Sequence, residues 1–259
     1  MNESTILVAD DAAVRTIMLN RPQRRNAMTP EMQVELIAAM EDAVASGCRV
    51  LVFAGSGEAF CSGLDLSALQ SMKDKTVAEH RTDARRIAQL FRTLYELPIP
   101  TIAAVHGAAI AGGTGLATIC DFTLATPAAK FGFTEARIGF VPAVVSAFLA
   151  LQIGDKRSRD LLLTGRIFDA AEAYRLGLVN EVVVPENLAQ RIHVQAEMLI
   201  ANSPQSLAAT KRLLAAQNKA WLDAAVEAAL EANAQARETA DFREGVAAFL
   251  EKRKPVWTK

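Results

Sequence analysis

The chain has 259 residues, 51% of them apolar, and a formal net charge of −1. This length suits one large domain or one domain with an appendage. The near-neutral charge excludes the composition typical of nucleic-acid-binding proteins or of proteins that bind acidic membranes. The cysteines Cys48, Cys61 and Cys120 have neither paired nor metal-ligand spacing. Because the acidic first segment, Met1–Ala13, also differs from a signal peptide, we expect a cytoplasmic protein with reduced thiols.

The first predicted elements are two short strands, Ile6–Val8 and Val14–Leu19, joined by a hairpin turn at Asp10–Asp11. A helix is predicted to begin after Thr29, which is a good cap and is followed by proline. Gly47 is expected to end this helix.

Strand, glycine-containing turn and helix then follow one another repeatedly. Val50–Phe53 is a predicted buried strand that leads through a loop of small residues to Leu66. Ile99–Val105 and Phe122–Ala125 are two further predicted strands. Repeated units of this kind predict a parallel sheet with helices packed against it. The uncharged run Pro98–Cys120 is long enough to cross a bilayer, but its prolines and glycines favour a buried strand, turn and helix.

The turn after Val105 contains the pair Gly112 and Gly113, and a buried helix is predicted to follow it. A turn without bulky side chains lets backbone N–H groups approach a ligand closely. The helix that begins there points its unpaired N–H groups at the same place. The stretch is therefore suited to stabilising negative charge, although close packing of strand and helix explains the glycines equally well.

The second half of the chain is predicted to be mainly helical. Predicted helices include Ala143–Ile153 and a long alanine-rich helix that begins at Ser203–Pro204. We expect a core domain of residues 1–187 and a C-terminal helical region of residues 188–259. Four apolar residues of this region are candidates for an interface with a neighbouring subunit: Leu213, Leu214, Trp221 and Leu222.

Three motifs in this order resemble the crotonase superfamily, which is the enoyl-CoA hydratase/isomerase family. They are Ala59-Phe60-Cys61-Ser62-Gly63-Leu64-Asp65-Leu66, the stretch from Val105-His106-Gly107 through Ala111-Gly112-Gly113 to Cys120-Asp121, and Phe131-Gly132-Phe133-Thr134-Glu135. The resemblance extends from about Val14 to Trp257. It implies an α/β fold, a crotonase-like spiral of ββα units with a helical C-terminal trimerisation region, in homotrimers or dimers of trimers.

The resemblance also implies a coenzyme A thioester as substrate, with no metal or redox cofactor. By motif position, the amides of Ser62 and Gly112 are expected to form an oxyanion hole, and Glu135 to transfer protons. Substrate contacts are expected at these residues: Arg24, Arg25, Ser62, Leu64, Asp65, Leu66, Gly112 and Lys252. The charged stretch Ser71–Glu96 is expected to help shape the acyl pocket.

The chain departs from the hydratase pattern at Gly115, where hydratases of this family usually carry a second glutamate. Hydration benefits from two carboxylates, one that orients and deprotonates water and one that delivers the proton to carbon. A double-bond shift needs only one, which takes a proton from C2 and returns it at C4. Isomerisation is therefore chemically easier with Glu135 alone, while hydration stays open. The alternatives are other enolate chemistry, such as decarboxylation or thioester hydrolysis, and a scaffold that binds acyl-CoA without turnover.

Overall fold

The computed structural model describes residues 4–65 and 76–257. The chain begins with an antiparallel hairpin of β1 (Ile6–Asp11) and β2 (Val14–Leu19). Its turn lies at residues 12–13, with Ala12 at φ 52°, so the predicted turn at Asp10–Asp11 is wrong. The physical reason is a cross-strand ion pair, because Asp10 lies opposite Arg15 and accepts its Nε–H at 2.7 Å.

The larger sheet has six strands in the order β1-β2-β3-β5-β7-β10. Beyond the hairpin, it contains β3 (Val50–Gly55), β5 (Thr101–Val105), β7 (Phe122–Ala125) and β10 (Glu181–Val182). Every pair from β2 onward is parallel. The strands β3, β5 and β7 confirm the predicted parallel sheet.

The second sheet is built from four three-residue strands in the order β4-β6-β8-β9. They are β4 (Ala59–Cys61), β6 (Ala108–Ile110), β8 (Lys130–Gly132) and β9 (Ile167–Asp169). From β3 to β8, consecutive strands therefore alternate between the two sheets, which produces the expected ββα units. The segment between Val105 and Gly112 was predicted to be a turn, but it contains β6. Three residues are too few to give a readable alternation of apolar and polar side chains.

Eight helices occur in the described part of the chain. They are α1 (Pro30–Ala45), α2 (Val77–Glu96), α3 (Gly112–Ile119), α4 (Ala143–Thr164), α5 (Ala170–Leu176), α6 (Leu188–Ile200), α7 (Pro204–Ala236) and α8 (Ala240–Leu250). Thr29 caps α1 as predicted, since its side chain accepts the Met32 N–H. The helix α4 is kinked at Gly154, where φ is 76°.

The C-terminal helices cover the spiral core, and α7 packs along both α2 and α4. Leu222 on α7 is 1% exposed and belongs to the main hydrophobic core. The interpretation of Leu222 as an interface residue is therefore wrong. Leu213, Leu214 and Trp221 remain about half exposed, at 59%, 52% and 47%. Among the helices that the structure describes, none is both long and apolar enough to cross a membrane.

Candidate active site

A cavity of about 730 Å³ lies where the loop after β2, the loop after β4, the start of α3 and the C-terminal helices meet. Most of the residues predicted to form the site line this single cavity: Arg24, Arg25, Ser62, Leu64, Asp65, Gly112 and Glu135. Leu66 lies outside the described residues. The fold therefore brings together segments that are widely separated in sequence.

Two glycines allow the start of α3 to lie directly on the segment after β4. A Cβ atom on Gly113 would be 2.1 Å from the carbonyl oxygen of Cys61. A Cβ atom on Gly63 would be 2.9 Å from the carbonyl oxygen of Ile110 and 3.4 Å from the amide nitrogen of Gly112. Gly63 also has φ +89°, a conformation that other residues rarely adopt. The glycines thus place two backbone segments side by side at the cavity.

The direction of the backbone amides identifies one donor. Met28 donates its N–H to Gly63 at 2.7 Å, and Asp65 donates to the carbonyl of Met28 at 3.0 Å. Leu64 lies between these two bonds in a parallel bridge with Met28. Because neighbouring residues of an extended segment direct their N–H groups to opposite sides, the Leu64 N–H points away from Met28. No residue in the described ranges accepts it.

The amide of Ser62 is already used, since it donates to the carbonyl of Arg25 at 3.0 Å. Its assignment as an oxyanion donor is therefore wrong in this structure. Gly112 is the first residue of α3, where amides have no acceptor within the helix. Within the described chain, its N–H has no backbone acceptor. Leu64 and Gly112 thus both line the cavity and have amides that no described backbone carbonyl accepts.

Buried polar contacts fix the loop that carries Met28. Asn26 is fully buried, and its side-chain amide donates to the carbonyls of Ser56 at 2.9 Å and Ala59 at 2.8 Å. Arg21 forms an ion pair with Asp65 at 2.8 Å. This ion pair holds Asp65, the residue that follows Leu64, against the loop after β2.

Glu135 begins a short 3₁₀ turn, Glu135–Ile138, that follows β8. Its Oε2 atom is buried and has no hydrogen-bond partner among the described residues. Loss of hydration disfavours the charged carboxylate, and burial raises the pKa of Glu135 to about 7, although a backbone hydrogen bond opposes part of this rise. A carboxyl group with this pKa is suited to accept and return a proton near neutral pH.

Tight packing fixes the turn that carries Glu135. A Cβ atom on Gly139 would be 2.2 Å from the carbonyl oxygen of Asp241, and one on Gly245 would be 2.2 Å from that of Ile138. The helix α8 therefore lies in direct backbone contact with the turn. On the other side, the Thr114 hydroxyl oxygen accepts the N–H of Gly132 at 3.1 Å. This bond connects α3 to the strand just before Glu135.

Apolar side chains occupy the space beside Gly115. A Cβ atom on Gly115 would be 2.6 Å from Cγ1 of Val145 and 3.1 Å from Cζ of Phe91. Phe91 and Val145 both line the cavity, so the wall beside α3 is apolar. The charged stretch from Ser71 to Glu96 contributes Ile87 and Phe91 to this wall. Residues 71–75 of this stretch lie outside the described ranges.

Arginines stand at the exposed side of the cavity. Arg24 and Arg25 are exposed, line the cavity and form no ion pair with any described residue. Lys252 is exposed and is not a lining residue, whereas Arg253 lines the cavity. Arg253 forms an ion pair with Glu244 and helps lower the pKa of that carboxyl group to about 2. Arg137 also lines the cavity, is exposed and forms no ion pair with a described residue. The lining cations that could contact an anionic ligand are therefore Arg24, Arg25 and Arg137.

Metal ligands are not grouped at this site. In the ranges 4–65 and 76–257, no cluster of three or more His, Cys, Asp or Glu side chains could hold a metal ion.

Comparison with known proteins agrees with this arrangement. The sequence profile of the enoyl-CoA hydratase/isomerase family matches residues 9–259. The chain belongs to the enoyl-CoA hydratase/isomerase family. A Thermus thermophilus protein provisionally named an enoyl-CoA hydratase is 42% identical over 243 residues, covering 93% of this chain and 96% of its own.

Solved structures of the enoyl-CoA hydratase/isomerase family have the same crotonase fold. An enoyl-CoA hydratase from Mycobacterium avium superposes with a TM-score of 0.87 at 35% identity, covering 99% of this chain and 100% of its own. An enoyl-CoA hydratase/isomerase from Xanthobacter autotrophicus Py2 gives a TM-score of 0.88 at 33% identity, with 96% and 97% covered. The predicted family and fold are confirmed, and this chain is an enzyme of that family.

Proposed function

We propose that this enzyme shifts the double bond of an enoyl-CoA thioester, with Glu135 as the proton carrier. The thioester oxygen lies between the amides of Leu64 and Gly112. Glu135 removes a proton from C2 of a 3-enoyl thioester, which leaves a dienolate whose negative charge is on that oxygen. The same carboxyl group then delivers the proton to C4, which gives the 2-enoyl product. Because Glu135 both removes and returns the proton, the reaction requires no metal or redox cofactor.

The observation that carries this proposal is the Glu135 carboxyl group, whose buried Oε2 atom has no partner among the described residues, in a cavity with an apolar wall beside Gly115. Hydration requires a water molecule that is oriented and deprotonated on one side of the double bond. At Gly115, where a second glutamate would do this, Val145 and Phe91 occupy the space. An apolar wall does not hold water, and it protects the dienolate from unwanted protonation.

The two amides are proposed to supply the electrostatic part of catalysis. Removing one donor from an oxyanion hole typically lowers the rate by roughly 10²–10³. Both amides belong to the main chain and are held by the glycine contacts and the Met28 bridge. They are therefore oriented before the substrate binds.

Arg24 and Arg25 are proposed to contact phosphate groups of coenzyme A. Both are exposed at the cavity edge and form no ion pair with the described residues. Such contacts act on binding and not on the reacting carbons, so replacing either arginine by alanine should raise KM and leave kcat nearly unchanged.

The test compares two reactions of the same protein. Isomerisation of a 3-enoyl-CoA and hydration of crotonyl-CoA are measured for the wild type and for Glu135→Gln. We expect isomerisation to be the faster reaction and to fall by roughly 10²–10⁴ in the variant. Hydration remains the second candidate because the relatives' names include it. Faster hydration of crotonyl-CoA, or unchanged rates in Glu135→Gln, would overturn the proposal.

We also propose that the chain assembles as a homotrimer or a dimer of trimers. Leu213, Leu214 and Trp221 form a half-exposed apolar surface on α7, and exposed apolar clusters often mark subunit contacts. Light scattering on the purified protein measures the assembly mass. A monomer at micromolar concentration would contradict this assignment.

A further inference from the structure

One polar side chain lies in the otherwise apolar part of the cavity. Asn233 on α7 is 3% exposed and lines the cavity. Its Oδ1 atom is buried and has no hydrogen-bond partner in the described part of the chain. Buried polar groups almost always have a partner in proteins. An amide in this position is therefore a candidate for contact with whatever fills the cavity.

Ion pairs between α2 and α7 fix where Asn233 lies along the cavity. Arg92 of α2 pairs with Asp223 of α7, and Asp83 pairs with Arg237 at 3.7 Å. The two helices are therefore antiparallel. Asn233 is one turn before Arg237, and Ile87 is one turn after Asp83, so this register puts Asn233 at the level of Ile87.

This level is displaced from the proposed reaction centre by about a helical turn. The Cζ atom of Phe91 is 4.0 Å from the position of a Cβ on Gly112 and 3.1 Å from that of a Cβ on Gly115. Ile87 is about one turn from Phe91 along α2, a distance of about 6 Å. The cavity thus continues from the amide of Gly112 past Phe91 to Ile87 and Asn233. The acyl part of a thioester held at Gly112 can extend in this direction.

We propose that Asn233 selects substrates whose acyl chain carries an uncharged hydrogen-bonding group, such as a hydroxyl, some distance from the thioester. A hydroxyl group can donate to Oδ1 and accept from the amide nitrogen of the same side chain. A plain alkyl chain leaves the amide without these bonds, which costs binding because buried polar groups then stay unpaired. This assignment rests on the proposed acyl-CoA substrate and names the class of acyl group.

Binding of unreactive thioesters tests this independently of catalysis. Butanoyl-, hexanoyl- and octanoyl-CoA are each compared with the counterpart that carries a terminal hydroxyl, using calorimetry on the wild type and Asn233→Leu. Leucine has nearly the same shape but no hydrogen-bonding groups. For at least one chain length, the wild type should prefer the hydroxylated thioester by roughly 10-fold or more. This preference should disappear in Asn233→Leu, with binding of the alkyl thioester unchanged or tighter.

The outcomes separate the two proposals. Equal affinities within every pair, or a preference that persists in Asn233→Leu, overturn the role of Asn233 and leave the acyl-CoA substrate intact. Failure of all the thioesters to bind overturns the proposed function itself. Thermal unfolding of the variant is recorded first, and Asn233→Ala is used in the same way if Asn233→Leu does not fold.

Discussion

Replacement of Glu135 by glutamine should make the protein more stable at neutral and alkaline pH while it destroys activity. The pKa of this carboxyl group is 4.5 in a hydrated chain and about 7 in the folded protein. Between these values the folded state binds more protons than the unfolded state, so the free energy of unfolding falls as pH rises. At about 1.4 kcal/mol per pH unit, the loss reaches about 3 kcal/mol above pH 7.

Glutamine stays neutral, so the variant escapes this loss. Urea unfolding of both proteins at about pH 5 and about pH 8 measures the effect, and the stability advantage of Glu135→Gln should grow by roughly 2 kcal/mol between the two. Glu186→Gln, an exposed position that does not line the cavity, is the control for removing one negative charge. An advantage that does not change with pH would show that the Glu135 carboxyl group is hydrated, and the reasoning on its role would fail.

Three further predictions concern the cavity. The kcat/KM for isomerisation should rise with pH through about 7, because Glu135 must be ionised to accept a proton; a profile flat from about pH 5 to 9 would contradict this. Gly63→Ala should lower kcat by roughly 10²–10³, since its φ of +89° and a contact of 2.9 Å force the Leu64 amide to move, whereas Ser62→Ala, the control, should retain activity. Gly115→Ala should lower the urea-measured stability by about 1–3 kcal/mol, and a second change, Val145→Ala, should recover part of this by making room.

The sequence was sufficient for features that depend on local pattern. The strand at β5, the helix that follows Gly112 and the acidic residue at position 135 all lie in continuous stretches with distinctive composition. The family resemblance then related these stretches to one chemistry. The buried environment of the Glu135 carboxyl group agrees with that prediction, although its catalytic role remains a proposal.

The features that were missed depend on pairing between distant segments. Whether Ser62 or Leu64 has a free amide depends on which residue binds to Met28 and which to Arg25. A shift of one residue in such a pairing reverses the direction of every N–H group. The sequence of the loop does not contain this information. The cavity wall has the same origin, because Phe91, Val145 and Asn233 come from three different helices.

The contact of α8 with the Glu135 turn has a consequence for the order of folding during synthesis. Both sheets and α3 are complete long before Gly245 leaves the ribosome, so the strands can pair while one side of the cavity is still open. The turn acquires its backbone neighbour only when the downstream helix arrives. In a nascent chain, the strands that precede Leu64 and Gly112 can therefore pair before the Glu135 turn is held in place by α8.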